Sequence, residues 1–294
     1  MKIAIITPTK DRPNDLRRML RSLEKQTHLP NRVIVVDSGN PPVADVVKKF
    51  PKLVVDYKRW DQRPSAAGQR NGGVGMVRGD IDLVCFFDDD QTLYPDAIEK
   101  MISFWNAQGK SDNTGKPLGA TSFFDDSWKD ERPTRLKKSW LSQRLGLYTS
   151  VPGGVAPSGW QSLYYGEIRS QNLDVAWLSS QAIVVKRNLL NEYRFDEFFE
   201  GYSYLEDLDF SYSISRKYRL TVVADAKFMH YHSPAGRGSE FSFGRAEVRN
   251  RRYIVQKHGL SMPSFWMAMA VRMGMSFISG SFGRVAGNLV GILR

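Results

Sequence analysis

Leu83-Val84-Cys85-Phe86-Phe87-Asp88-Asp89-Asp90 sets five apolar residues directly against three carboxylates. An apolar run without polar alternation reads as a strand covered on both faces, the pattern of a parallel sheet with helices above and below it. Three successive acids repel one another unless a positive group lies among them. In open α/β sheets, ligands bind just beyond the carboxyl ends of the strands. The simplest resident is therefore a divalent cation carrying a phosphorylated ligand, since magnesium takes one or two carboxylates plus substrate phosphates. The alternative is a charged turn after a core strand.

Outward from this strand the chain alternates. Lys2 to Thr7 reads as a first buried strand, followed by a polar turn from Thr7 to Pro13. Leu16, Met19, Leu20 and Leu23 then recur at helical spacing, with Pro13 near the helix start. Arg32 to Asp37 is a second strand, Val43 to Phe50 a short helix and Lys52 to Tyr57 a third strand. The glycine-spaced stretch Ala66 to Gly73 precedes the central strand, and a helix from Pro95 to about Gln108 follows it. Repeated β-then-α units call for an α/β fold with a doubly wound, mainly parallel sheet. The first turn lacks both G-x-G-x-x-G and G-x-x-x-x-G-K-[ST], which argues against dinucleotide redox chemistry and P-loop phosphate binding.

From Gly109 to Gly159 the pattern loosens into polar, Gly/Pro-punctuated sequence with a basic amphipathic segment from Arg135 to Leu147. Val151 to Trp160 reads as a loop near the site. Val175 to Leu178 and Ala182 to Val185 are short strands, and Tyr204 to Tyr218 is a helix. Arg219 to Ala224 is a further strand, Lys227 to Tyr231 leads into a His-x-His, and Phe243 to His258 is a basic helix.

The 294 residues carry a net charge of +11, which suits an anionic partner such as a sugar nucleotide, an acidic membrane surface or nucleic acid. The basic residues are not interleaved with aromatic stacking residues and no nucleic-acid motif is present, so no nucleic-acid partner is expected. The single cysteine, Cys85, lies in the core strand, where a packed, inert thiol in a reducing compartment is expected. No signal peptide and no apolar run of ~20 residues is visible, so a cytoplasmic protein without a membrane span is expected.

Five motifs occur in a fixed order: T-P-T-x-x-R at Thr7 to Arg12, V-D-S-G-N at Val36 to Asn40, Q-R-N-x-G at Gln69 to Gly73, F-F-D-D-D at Phe86 to Asp90, and F-D-E-x-F followed by E-D-x-D between Phe195 and Asp209. Together they resemble the family 2 glycosyltransferases of the GT-A fold, of the inverting, rhamnosyltransferase-like bacterial type, over most of the chain. The resemblance implies a nucleotide-sugar half (1–108) and an acceptor half (109–258), which form one domain over 1–258; the Met- and Phe-rich 259–294 reads as an amphipathic helical tail. It implies that Thr7, Pro8, Thr9 and Arg12 cup the nucleotide and that Asp37 recognises its base, with capping of the following turn as the alternative. Arg70 and Asn71 would lie near the nucleotide, where a guanidinium fork pairs well with phosphate or base-edge oxygens.

Asp88 and Asp90 match the outer positions of the D-x-D motif. The resemblance implies that Asp90 ligates a divalent metal (Mn2+ or Mg2+), that Asp88 lies nearer the ribose and the metal's waters, and that Asp89 takes no part. Glu206-Asp207 matches the E-D motif, with Asp207 as general base toward the acceptor hydroxyl and Glu206 positioning the acceptor or supporting Asp207. His230 matches a metal- or diphosphate-binding histidine better than His232 does. Ser180 stands where relatives often carry glycine, and Trp177 is placed either to stack on a sugar or to pack in the core. The implied activity is transfer of a sugar from a UDP- or dTDP-type donor to a hydroxyl of a glycan or lipid-linked acceptor in cell-surface polysaccharide synthesis. The tail and the charge surplus favour peripheral association with an anionic inner membrane face, with simple packing of the tail against the domain as the alternative. Two other readings are a nucleotidyltransferase, disfavoured by the missing Gly-rich phosphate loop, and a non-catalytic nucleotide- or glycan-binding relative.

Overall fold

In the first strand, β1 (Ile3–Thr9), side chains alternate between two cores: Ala4 and Ile6 join one apolar cluster, Ile3 and Ile5 the other, as the two-residue period of a strand requires. The computed structural model describes residues 1–108, 115–127, 139–164, 171–201, 203–233 and 238–293. β1 is flanked by parallel strands β2 (Arg32–Asp37) and β4 (Leu83–Phe87), and β3 (Val55–Arg59) adds outside β2. On one face α1 (Pro13–Glu24), α2 (Ala44–Val47) and α4 (Ala97–Gln108) supply Leu20, Val46 and Met101. On the other, α3 (Ala66–Val74) supplies Ala67 and Val74. The expected α/β fold with helices on both faces is present.

The sheet continues past β4 through β8 (Ala182–Lys186), β6 (Leu118–Asp125), β9 (Arg219–His230) and β5 (Gln91–Leu93), and β7 (Leu173–Val175) pairs with β9. β8 runs antiparallel to both β4 and β6, whereas β6 and β9 are parallel. β5 follows the acid triplet directly and pairs with β9 so that Gln91 faces His230. Strands from both halves of the sequence thus form one nine-stranded sheet.

Several expectations need correction. The first strand runs on through Thr9, so Thr7 and Pro8 belong to the strand rather than to a turn. The third strand starts at Val55, because Leu53 closes a turn onto the Phe50 carbonyl. The glycine-spaced stretch is helix α3, capped by the Ser65 hydroxyl, which accepts from the Gly68 N–H. Its glycines answer to packing: a Cβ at Gly73 would lie 2.4 Å from Cγ2 of Ile6, and one at Gly72 2.5 Å from the Trp60 ring. Close approach of the helix to the sheet offsets the ~1 kcal/mol that a glycine costs within a helix. The region from 109 to 159 contains the fully buried strand β6. Within the basic segment from Arg135 to Leu147, Arg135 to Lys138 lie outside the described residues, and the remainder includes the short helix α5 (Trp140–Arg144). The strand expected over Arg219 to Ala224 runs on to His230 as β9.

Helix α6 (Glu206–Ser215) packs Leu208, Phe210 and Ile214 into the same core as α3. α7 (Glu240–Lys257), α8 (Met262–Ile278) and α9 (Phe282–Ile292) close the chain. α9 lies directly on α7, where a Cβ at Gly287 would meet the Phe241 carbonyl oxygen at 2.1 Å. Asn288 donates to the Gly244 carbonyl at 2.9 Å, and the buried Glu247 pairs with Arg284 at 2.9 Å. The tail therefore packs on the domain while leaving Phe277, Ile278, Phe282 and Leu293 exposed. Among the described residues no helix is long and apolar enough to cross a membrane.

Candidate active site

The carboxyl end of β4 opens into a cavity of about 690 Å3 whose lining includes Thr9, Arg12, Arg70, the triplet Asp88 to Asp90, Glu206 and His230. Each acid of the triplet meets a basic group of the chain itself. Arg70, almost fully buried, donates to Asp88 at 2.7 Å and through its other terminal nitrogen to Glu206. Arg12 donates to Asp89 at 3.1 Å and lies 3.6 Å from Asp90. His230 Nε2 sits 3.3 Å from Asp90 Oδ1. The repulsion expected within the triplet is thus offset by three protein cations or dipoles before any ligand is considered.

Protonation follows from these partners. Burial pushes Asp90 upward, but the His230 hydrogen bond and the nearby charges of His230 and Arg12 outweigh it, and its pKa lies below the ordinary carboxylate value. Burial raises Asp88 despite Arg70. Asp89, at the floor of the cavity, accepts from the Thr9 hydroxyl at 2.7 Å, and burial pushes it up to about 7. Asp89, for which no part in the chemistry is expected, fixes Thr9 and Arg12 in place.

Glu206 and Asp207 open α6 after a bent approach in which Ser203 and Leu205 have φ of 53° and 71°. Asp11 (φ 56°) also lines the cavity, and His232 (φ 50°) adjoins it. A non-glycine residue in this region costs about 1–3 kcal/mol and persists where surrounding structure imposes it, often at functional sites. Burial raises Glu206 to about 7 against the pull of Arg70. Burial also raises Asp207, partly offset by the Leu208 N–H at 2.8 Å and the Ser180 N–H at 3.4 Å.

Not every expected site residue is at the cavity. Pro8, Thr9 and Arg12 line it, whereas Thr7 is buried in the sheet. Asp37 is fully buried and accepts from the Gly39 and Val43 N–H groups and from the Tyr57 hydroxyl, at 2.7, 2.8 and 2.8 Å. These bonds cap its turn. Asn71 brackets the backbone of Phe195, donating to its carbonyl at 2.8 Å and accepting from its N–H at 3.1 Å. This ties α3 to the segment leading into the E-D pair. The loop from Val151 to Trp160 packs under α7, where Arg251 stacks 4.0 Å over Trp160, and only the following Gln161 reaches the cavity. Trp177 lines the cavity but is mostly buried, with its indole N–H donating to the Ser162 carbonyl at 2.9 Å.

One contributor was missed. Asp125 ends β6 with its Oδ2 4.0 Å from His230 Nδ1, and both atoms are buried without a hydrogen-bond partner. Phe123-Phe124-Asp125-Asp126 repeats the apolar-apolar-acid-acid ending of Phe86 to Asp89, a signal present in the sequence. The donors Asp88, Asp90 and His230 fit a divalent cation in type, since one or two carboxylates with phosphate oxygens suffice for magnesium; His230 Nδ1 is buried and unbonded, 4.0 Å from Asp125. Among the described residues no cluster of three or more metal-ligating side chains occurs.

The glycosyl transferase family 2 model matches residues 4–165, which contain β1 to β6 and the acid triplet. The chain belongs to glycosyl transferase family 2. An uncharacterized glycosyltransferase of Bacillus subtilis (strain 168), YwdF, is 25% identical to this transferase over 273 residues, covering 88% of this chain and 85% of the relative. The fold is also that of solved GT-A enzymes. S. aureus TarS 1–349 in complex with UDP-GlcNAc superimposes with a TM-score of 0.56 at 16% identity, over 94% of this chain and 73% of that one. The mannosyltransferase PcManGT from Pyrobaculum calidifontis, in complex with GDP-Man and Mn2+, gives 0.54 at 15% identity, over 99% and 79%.

Proposed function

We propose that this transferase moves a sugar from a nucleoside-diphosphate donor, of UDP or dTDP type, to a hydroxyl of a glycan or lipid-linked acceptor, with inversion at the anomeric carbon. The observation that carries the reading is Arg70, which ties Asp88 of the D-x-D motif to Glu206 of the E-D motif inside one cavity. A donor-side and an acceptor-side motif far apart in sequence are thereby held against one another. The UDP-GlcNAc and GDP-Man complexes of the two structural relatives support a nucleotide-sugar donor.

In this mechanism the acceptor hydroxyl oxygen attacks the anomeric carbon as the bond to the diphosphate breaks, and the bonding pair leaves with the diphosphate. Asp207 accepts the hydroxyl proton; its burial raises its proton affinity, which suits a general base. Glu206, fixed by Arg70, positions the acceptor. Arg12 and His230 face the growing charge of the leaving group. Asp90, with Asp88 and His230, would hold a divalent metal, which when bound supplies Lewis-acid stabilisation of the diphosphate. A single displacement inverts the configuration. The split into a donor half (1–108) and an acceptor half (109–258) belongs to this reading, as does peripheral attachment to an anionic membrane face through the exposed apolar side chains of α8 and α9.

Calorimetric titration with UDP, dTDP and GDP, with and without Mn2+, tests the reading on wild type and Asp90→Ala. Metal-dependent binding of one nucleotide that the substitution abolishes is expected. No binding of any of them at millimolar concentration would sink it.

A further inference from the structure

A second cavity, about 450 Å3, lies on the outer face of α7 and is lined by Phe198, Glu200, Arg245, Arg249, Arg252 and Tyr253, among others. Three of its residues are arginines spaced i, i+4 and i+7 along one stripe of the helix, where like charges repel and destabilise the helix unless an anion lies among them. The compensation present is thin. Among the described residues Glu200 is the only carboxylate of the lining; it stands 3.9 Å from Arg249 and is shared with Arg63 at 3.2 Å. Among the described residues neither Arg245 nor Arg252 has a carboxylate partner.

Arg249 is fixed in place. Its guanidinium lies 4.3 Å over the Phe198 ring and donates to the Phe198 carbonyl at 3.3 Å. Phe198 in turn stacks on Tyr253 with ring centroids 3.9 Å apart. A clamped guanidinium flanked by two more, over a flat aromatic base, matches an anion with several equivalent oxygens better than a single carboxylate. The cavity also adjoins the reaction site. Arg63, partner of Glu200, lines the first cavity, as do Gly201 and Ser203 just past Glu200. On its other side it reaches Gly291 of α9, whose neighbours Leu289 and Leu293 are exposed apolar side chains.

We propose that this arginine stripe is a binding site for a phosphate or diphosphate group carried by the acceptor, with its apolar portion directed along α9. The assignment rests on the glycosyltransferase reading for the word acceptor, but the anion site stands on its own residues. An acceptor held there presents its sugar end toward the first cavity, where Glu206 and Asp207 lie.

The test is titration of the full chain with inorganic pyrophosphate, comparing wild type with Arg245→Ser/Arg252→Ser. Both positions are partly or fully exposed, so the double variant keeps the fold. The expected result is a binding event in wild type that weakens about tenfold or more in the variant, the loss that follows from removing two charge-assisted contacts, while the nucleotide that binds in the presence of Mn2+ binds both proteins equally. Identical pyrophosphate isotherms would overturn the proposal. If none of UDP, dTDP and GDP binds either protein in the presence of Mn2+ but the pyrophosphate difference persists, the transferase reading fails and the anion site remains. A second arm uses vesicles of phosphatidylcholine with either phosphatidylglycerol or a polyprenyl diphosphate. Variant-sensitive binding only to the diphosphate vesicles assigns the site to an acceptor, whereas equal sensitivity on phosphatidylglycerol overturns the acceptor assignment in favour of a lipid headgroup.

Discussion

Replacing Arg70 with Met removes the one cation that two buried carboxylates share. Arg70 and Glu206 are nearly inaccessible and the Asp88 side chain is about a quarter exposed. Breaking a buried pair by deleting one partner costs about 3–5 kcal/mol, and the exposure of Asp88 places the expected loss near the lower bound, about 3 kcal/mol at pH 8. The loss depends on pH with a definite sign. Glu206 already titrates at about 7 in the folded chain, above its ordinary 4.5, so the native state holds a proton there that the unfolded chain has released. Such a group lowers stability progressively as pH rises from its unfolded to its folded pKa. Without Arg70 the folded pKa of Glu206 rises further, and that of Asp88, raised by burial already, rises with it. The stability gap between variant and wild type therefore widens as pH increases from 5 to 8. As pH falls toward the ordinary carboxylate range, Glu206 is increasingly protonated in both proteins and the gap narrows. Urea denaturation of both proteins at pH 5, 6, 7 and 8 measures it. A gap that is constant across this range, or below about 1 kcal/mol at pH 8, would refute the claim that Arg70 is held by two ionisable partners.

Asp207→Asn keeps the shape of the side chain but removes the proton acceptor, so turnover is expected to fall by about 10²–10⁴-fold with donor binding unchanged; a variant with near-wild-type turnover would remove Asp207 from the base role. Gly287→Ala places a methyl 2.1 Å from a carbonyl oxygen of α7, and a strain of about 1–3 kcal/mol is expected to appear as faster amide exchange across α9 with the exchange of β4 unchanged. Equal exchange in both proteins would show that α9 does not depend on that contact.

How much of this could be read from residues alone differs by element. β4 was legible because five apolar residues meet three acids with no competing pattern, and β2 because its boundaries coincide with an apolar run ending on Asp37. α3 was not, because three of its nine residues are glycines whose reason, contact with Trp60 and Ile6, comes from segments distant in sequence. β6 was hidden by Gly119, Thr121 and Ser122, which lower the local hydropathy although the strand is wholly buried. Within the site, the acids and His230 came from motif order, and they do meet in one cavity. The arginine linkage from Asp88 to Glu206 did not, since spacing names the partners of neither. Asp37 and Asn71 show that a motif position can also carry structure: the fold itself uses hydrogen bonds of both side chains, which their place in a motif does not announce.

The pairing of Gln91 with His230 carries a further consequence. Asp90 and His230 are adjacent because two backbones are laddered together, one residue past the acid, and not because their side chains found each other. Neighbouring positions on a strand face opposite ways, so a one-residue slip of β9 against β5 would bring Met229 or Tyr231 opposite Gln91 and turn the imidazole away from Asp90. The spacing between acid and imidazole is thus set by the main chain like a ratchet tooth. A ligand can adjust side-chain rotamers there, but it meets a gap whose width was fixed when the sheet closed.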